Sequence, residues 1–323
     1  MTDHPKHFIS IDVLRLLAAF CVVALHCCTS PCHPLLSEPL TRGWWIAHLL
    51  SSTKICVPLF VMISGFFLLD AEHDAWNWAS YRRRMARILI PLVTWVLLYS
   101  VLSIVNLHRH GPLSLALVKG PVIRGTAYFH LWYLFMIAGI YAFSPFFLSI
   151  VRQSTPTQSR VLLLLLFFFA QAYWLITAFV GRKYYCVIND MLIFPPYLFY
   201  FFAGSVVRRL QWSRLLAVGL VLCFVFSWGA GVLGESALFM LRGKSVGLFH
   251  SYFSPTVMGM TLSLFALIVI QETKFRHAQR WVKQRLDVIV FTIWSCRTYT
   301  GCISVIGFEA RLLWHLYTLS VFL

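Results

Sequence analysis

Acidic residues are scarce in this sequence, with 11 Asp and Glu against 27 Lys and Arg among 323 residues. Charge of either sign makes up 12% of the chain, where a soluble domain carries about 25%. That shortage excludes an ordinary water-facing globule. No polar stretch is long enough to fold alone, so no appended soluble domain is expected. No small-residue cleavage site follows the first apolar run, which reads as a retained helix rather than a signal peptide. No Gly-x-Ser-x-Gly elbow surrounds Ser64, so that serine reads as a packing or hydrogen-bonding residue rather than a nucleophile. No set of His, Cys, Asp and Glu has metal-ligand spacing, and no metal is expected. Fixed-period repeats and low-complexity linkers are also absent.

What is there is apolar. Hydrophobic residues make up 59% of the chain and aromatics 16%. Apolar runs extend over Phe8 to Cys28, Trp44 to Leu69, Pro91 to Val105, Tyr128 to Ile150, Val161 to Val180, Pro195 to Gly204, Leu215 to Val232, Tyr252 to Ile270 and Val288 to Phe308. They predict an all-α, polytopic integral-membrane helical bundle of about nine transmembrane helices. The whole of 1–323 reads as one membrane-embedded domain. Pro58 should kink the second helix or disturb its ladder. Ser64-Gly65 permits close helix approach. The run from Pro195 is short enough to be partly re-entrant.

A net charge of +16 would suggest nucleic acid in a soluble protein. Here the cations cluster between apolar runs, so the positive-inside rule accounts for most of them, and no nucleic-acid partner is expected. Placing the N-terminus in the cytoplasm puts Arg82, Arg83, Arg84, Arg87, Arg208, Arg209, Arg214 and the basic run from Lys274 to Arg285 inside. Fewer Lys and Arg then fall outside. The cysteines mostly lie in or beside apolar runs, where Cys is a small hydrophobe. Cys27, Cys28, Cys32 and Cys186 fall on the outer side and leave room for one disulfide.

The first run, Phe8 to Cys28, carries Asp12, Arg15 and His26. Ionisable groups at membrane depth are costly, and each is a functional candidate by default. One helical step is about 100°. His26 lies eleven residues beyond Arg15, which returns it to within about 20° of that residue, with Asp12 within about 60° of both. The three share one face, with Arg15 and His26 about 16 Å apart along the axis. A plainer reading stays open, in which Asp12 and Arg15 form a neutralising i,i+3 pair and His26 bonds a neighbouring helix. Lys54 is another costly charge, although near a helix end it could snorkel.

Four stretches resemble the bacterial membrane acyltransferase-3 family of integral-membrane O-acyltransferases that modify surface glycans. The first is Asp12-x-x-Arg15 with His26. The second is Val57-Pro58-Leu59-Phe60-Val61-Met62-Ile63-Ser64-Gly65-Phe66. The third is Arg84-x-x-Arg87 leading into Ile90-Pro91. The fourth is His130-Leu131-Trp132-Tyr133-Leu134. Tyr200 to Gly204 and Tyr252 to Pro255 add weaker support. The short, domain-free layout is most similar to O-acetyltransferases such as that of enterobacterial common antigen.

The resemblance implies transfer of an acyl group, with acetyl the expected one, from cytoplasmic acyl-CoA to a hydroxyl of a cell-surface glycan or its lipid-linked precursor. It implies a multi-pass protein of the bacterial inner membrane. Acyl-CoA, acetyl-CoA above all, is then the donor, and a surface glycan or lipid-linked saccharide is the partner. His26 is implied as the base, because an imidazole changes protonation near neutral pH. Arg15 would orient the donor or stabilise charge on the thioester oxygen, with Asp12 holding it. Arg84 and Arg87, one helical turn apart at a helix start, would clamp phosphate, aided by the helix dipole. Arg82 and Arg83 stay with the lipid headgroups. Lys54 is a second electrophile candidate. His130 and Trp132 would bind the acceptor sugar, with an interfacial aromatic belt the equal alternative. The rival functional class is a transporter or flippase for a glycan or lipid-linked intermediate, and a third reading is a nonfunctional truncated family member.

The sequence departs from the family at its end. Members usually have ten or more helices, a late one carrying Gly-aliphatic-Tyr-x-x-His. Here the corresponding region runs from Ser295 to Ile306 without that pattern. Back-translating Cys296 to Ile306 and shifting the frame by two bases permits Ser-Tyr-Leu-Tyr-Gly-Val-Tyr-Leu-Ser-His, which restores it. The expectation is a frameshift near residues 280–296 and an aberrant or truncated stretch over 296–323, against the alternative of a divergent short member.

Overall fold

A computed structural model of the chain describes residues 8–32, 41, 44–45, 52–70, 77–110, 132–180, 194–211, 213–242 and 247–272. Among these residues the regular secondary structure is helical throughout. The elements are α1 (Ile9–Cys32), a one-turn 3₁₀ helix (Ser52–Ile55), α2 (Cys56–Leu68), α3 (Trp78–His110), α4 (Trp132–Gln153), α5 (Pro156–Val180), α6 (Phe194–Val207), α7 (Arg214–Arg242) and α8 (Pro255–Val269). Helices α1, α3, α4, α5 and α7 are long and apolar enough to cross a membrane, whereas α2, α6 and α8 are shorter. The chain is an all-α membrane bundle, as the composition predicts. Helices are what lipid demands of such a sequence, since each backbone group must find its partner within the segment. The ninth predicted segment, Val288 to Phe308, lies outside the described residues, as do residues 296–323 and Cys186.

Three of the differences from the sequence reading have a local reason. The second predicted helix is not continuous from Trp44, because a 3₁₀ turn precedes α2. Pro58 therefore falls in the first turn of an α-helix, where a missing N–H is tolerated, and it introduces no mid-helix break. Helix α3 begins at Trp78 and contains Pro91, so the Arg-rich stretch is helical and not a lead-in to a helix. Its start is capped by Asn77, whose side chain accepts from the Ala79 N–H at 2.8 Å. Helix α7 continues to Arg242, past the predicted end at Val232. Its extra turns carry Gly234, Glu235 and Ser236, which a hydropathy window reads as the end of a span.

The chain divides into two compact units. The first holds α1, the 3₁₀ turn, α2, α7 and α8, with residues 167–174 of α5 and α6 from Phe199 onward. Helix α1 starts where α2 and α8 end. Phe8 meets Phe66 edge-on with ring centroids 5.3 Å apart, and the Ser10 N–H donates to Glu272 at 2.9 Å. Helices α2 and α6 cross in backbone contact. A Cβ on Gly65 would collide with the Phe201 carbonyl, and one on Gly204 with the Met62 carbonyl. Only glycine admits that approach. Helices α7 and α8 pack through Ser227, Gly231 and Gly259.

The second unit holds α3, α4 and the rest of α5 and α6. The Tyr81 hydroxyl of α3 donates to the Ala142 carbonyl of α4 at 3.1 Å. Gly139 leaves room for the Phe194 ring, which stacks on Phe143 at 5.5 Å. A reciprocal capping box opens α5: the Thr155 N–H donates to Gln158 Oε1 at 2.8 Å, and the Gln158 N–H to Thr155 Oγ1 at 3.2 Å. Pro156 at the first helical position suits this start.

Candidate active site

Helix α1 is unbroken from Ile9 to Cys32, so the angular argument from the sequence holds for the folded chain. Asp12 sits in the first turn, where a carboxylate complements the helix dipole. Its Oδ1 lies 3.4 Å from Arg15 Nη1, and both side chains are about one-third exposed, at 34% and 33%. The Arg15 guanidinium also lies over the Phe67 ring, 5.4 Å from its centroid. His26 is exposed, on the same face and about 16 Å further along the axis. A continuous helix keeps that separation. The two side chains thus start from backbone positions about three turns apart on one face.

Sequence reasoning took Arg208 for one more positive-inside charge. In the fold it belongs to the Arg15 end. Its Nη1 donates to the Phe66 carbonyl at 3.1 Å, satisfying the end of α2. Its guanidinium covers Phe66 at 5.0 Å and Phe8 at 5.6 Å. Two guanidiniums thus flank a cluster of three phenylalanines, Phe8, Phe66 and Phe67. Such an assembly offers cations and flat apolar faces together.

Ser64 Oγ donates to the Phe60 carbonyl at 3.0 Å, a bond within its own helix. Lys54 is half-buried in the 3₁₀ turn, which packs on both α1 and α8.

In the second unit, Arg84 is half-buried and Arg87 exposed. They are one turn apart on α3, as expected, but beyond its first turn, since the helix starts at Trp78. The dipole effect fades within that first turn, so any phosphate attraction here comes from the guanidiniums alone. Trp132 opens α4 and lies 6.2 Å from the Tyr197 ring at a tilt, an aromatic pair at a helix mouth. His130 is outside the described residues.

A second polar centre went unnoticed in the sequence. Glu235 of α7 is fully buried, and His250 is 4% exposed. The Glu235 carboxylate accepts from the Gly247 N–H at 2.5 Å and from the Phe249 N–H at 3.4 Å. Gly247 has φ +67°, a left-handed conformation that glycine adopts without strain. The carbonyls of the same turn are also bound. Leu248 receives Trp174 Nε1 at 3.2 Å, Tyr252 the Tyr200 hydroxyl at 2.6 Å, and Phe253 the Gln171 amide at 3.2 Å. Ser254 Oγ lies 2.8 Å from both the Phe249 and Ser251 oxygens, and Thr256 also donates to Phe249. Ser254 is in addition the N-cap of α8. The available signal was Glu235 itself, an acid beside an apolar run.

A family model described as an acyltransferase domain matches residues 8–299. Among curated proteins, an amino-acid racemase of Enterococcus faecalis is 34% identical over 134 residues, covering 38% of this chain. The chain spans only 17% of that protein's length, so the racemase name belongs to that protein. No solved structure matches the chain.

Proposed function

The chain belongs to the acyltransferase-3 family, whose domain covers nearly all of it, and from that premise we propose a membrane O-acyltransferase that moves an acetyl group from cytoplasmic acyl-CoA to a hydroxyl of a cell-surface glycan or its lipid-linked precursor. The protein then lies in the bacterial inner membrane with its N-terminus in the cytoplasm. The observation that carries this reading is the unbroken α1, which sets a cation and an imidazole on one face at two depths.

Arg15 orients the donor, with Asp12 beside it. Arg84 and Arg87 hold the coenzyme A phosphates as paired guanidiniums. His26, in its neutral form, takes the proton of the acceptor hydroxyl. The hydroxyl oxygen attacks the thioester carbonyl, the carbon–sulfur bond breaks, and the leaving thiolate receives the proton from the imidazolium. Lys54, on a turn packed against α1, is a further electrophile at the carbonyl oxygen. His130 and Trp132 contact the acceptor sugar.

Membranes carrying the chain, supplied with acetyl-labelled coenzyme A, should transfer label into the glycan fraction. His26→Ala should lower that transfer by about 10²- to 10⁴-fold, the usual contribution of a general base. Transfer that survives the substitution would remove His26 from the mechanism. A wild-type chain without transfer into native-host glycans would refute the reading.

A further inference from the structure

Glu235 and His250 take no part in the reaction above, yet both are buried in a membrane protein, where ionisable groups persist for a purpose. Their depth can be read from the helices. The Ser10–Glu272 hydrogen bond joins the start of α1 to the end of α8. From it, His26 lies about 24 Å along α1, and Pro255 about 26 Å back along α8, at 1.5 Å per residue. Helix α8 packs on α1, and both pack on the Lys54 turn. On two antiparallel helices packed together, these rises set the Gly247–Ser254 turn, which feeds α8, toward the His26 end of α1 and away from its Ser10 end.

Its construction separates backbone from side chains. Glu235 fixes two amides, and Trp174, Tyr200, Gln171, Ser254 and Thr256 fix the carbonyls. His250 is seated against Gly231, one helical turn before Glu235, with its Cε1 3.8 Å from where a Cβ would stand. Ser251 and Tyr252 remain half-buried. A rigid backbone carrying a hydroxyl and a phenol ring suits a polyhydroxylated ligand, since such a ring can cover an apolar sugar face while hydroxyl groups exchange hydrogen bonds.

We propose that Glu235 is a positioning residue that holds the Gly247–Ser254 turn as the acceptor-side wall of the site, where Ser251 and Tyr252 receive the saccharide. This deepens the acyl-transfer reading and rests on it. The test follows two products of one assay, labelled glycan and free acetate, in native-host membranes given acetyl-labelled coenzyme A. Water replaces the sugar in the second product, so a defect confined to the acceptor wall changes the partition and not the handling of the donor. Glu235→Gln and Tyr252→Ala are each expected to lower glycan labelling about tenfold, with acetate release held within about twofold. Thermal melting in detergent identifies a variant that fails to fold, and Tyr252→Ala, at a half-buried side chain, serves if Glu235→Gln does. An unchanged ratio of the two products in a folded variant overturns the proposal, whether the rates stay or fall together. A wild-type chain that forms neither product refutes the acyl-transfer reading, and this inference with it.

Discussion

The two ends of the first unit are held by different forces. At the Phe8 end, guanidiniums lie on phenylalanine rings and Arg15 pairs with Asp12, with one-third of each of those two side chains open to the surroundings. At the Gly247–Ser254 end, a fully buried carboxylate and a fully buried serine hydroxyl bind the backbone itself. Contacts of the first kind are adaptable, because a guanidinium can slide on a ring or exchange one anion for another at small expense. Contacts of the second kind are stiff, because any opening strands amides and carbonyls away from water. In the proposed reaction, a donor that binds and leaves at every turnover is assigned to the first end. A surface that must keep its shape to select one hydroxyl fits the second.

The contrast can be broken or sharpened by substitution. The largest effect is expected at the α2–α6 crossing, next to the Phe8 end. Gly65→Leu forces two backbones apart and should cost at least about 4 kcal/mol, read as loss of monodisperse protein in detergent. Next is the stiff end. Ser254→Ala removes the α8 cap and a donor to the turn, and should lower stability by about 2–3 kcal/mol in a thermal melt. The adaptable end should respond less. Arg208→Ala loses two ring contacts and a bond to the end of α2, about 1–2 kcal/mol together, and Arg208→Lys should recover under half because it cannot stack as a plane. If Arg208→Ala costs more than Ser254→Ala, the contrast between the ends is wrong. The smallest change belongs to Ser64→Ala, within about 0.5 kcal/mol. Label transfer should stay within about twofold of wild type, whereas loss of a nucleophile would abolish it.

Much of this was legible in the residue order. The α1 face followed from helical geometry once Asp12, Arg15 and His26 were placed on one apolar run. The tight crossing was foreshadowed by Ser64-Gly65, although its partner Gly204 was not. Helix α7 was misread because hydropathy finds the side that meets lipid. Its exposed residues include Val225, Phe226, Leu233 and Leu241, while Ser227, Gly231, Glu235 and Ser236 are buried. In a bilayer the protein-facing stripe is the small and polar one, so the residues that looked like the end of a span are its packing surface. Arg208 was hidden by an equivalent effect. Topology accounts for a cation near a helix end so readily that its contacts with Phe8 and Phe66, distant in sequence, left no trace in composition.

The short helices have a consequence for distance. Helix α2 has 13 residues and α8 has 15, lengths of about 20 and 22 Å, whereas a hydrocarbon layer is about 30 Å thick. Both are buried along much of their length, and α8 packs against the longer α7 and α1. Their helical backbone alone is shorter than that layer, with the Ser52–Ile55 turn extending α2. In the proposed reaction, a thioester arm anchored on one side would then meet a hydroxyl from the other after a shorter reach than the full bilayer.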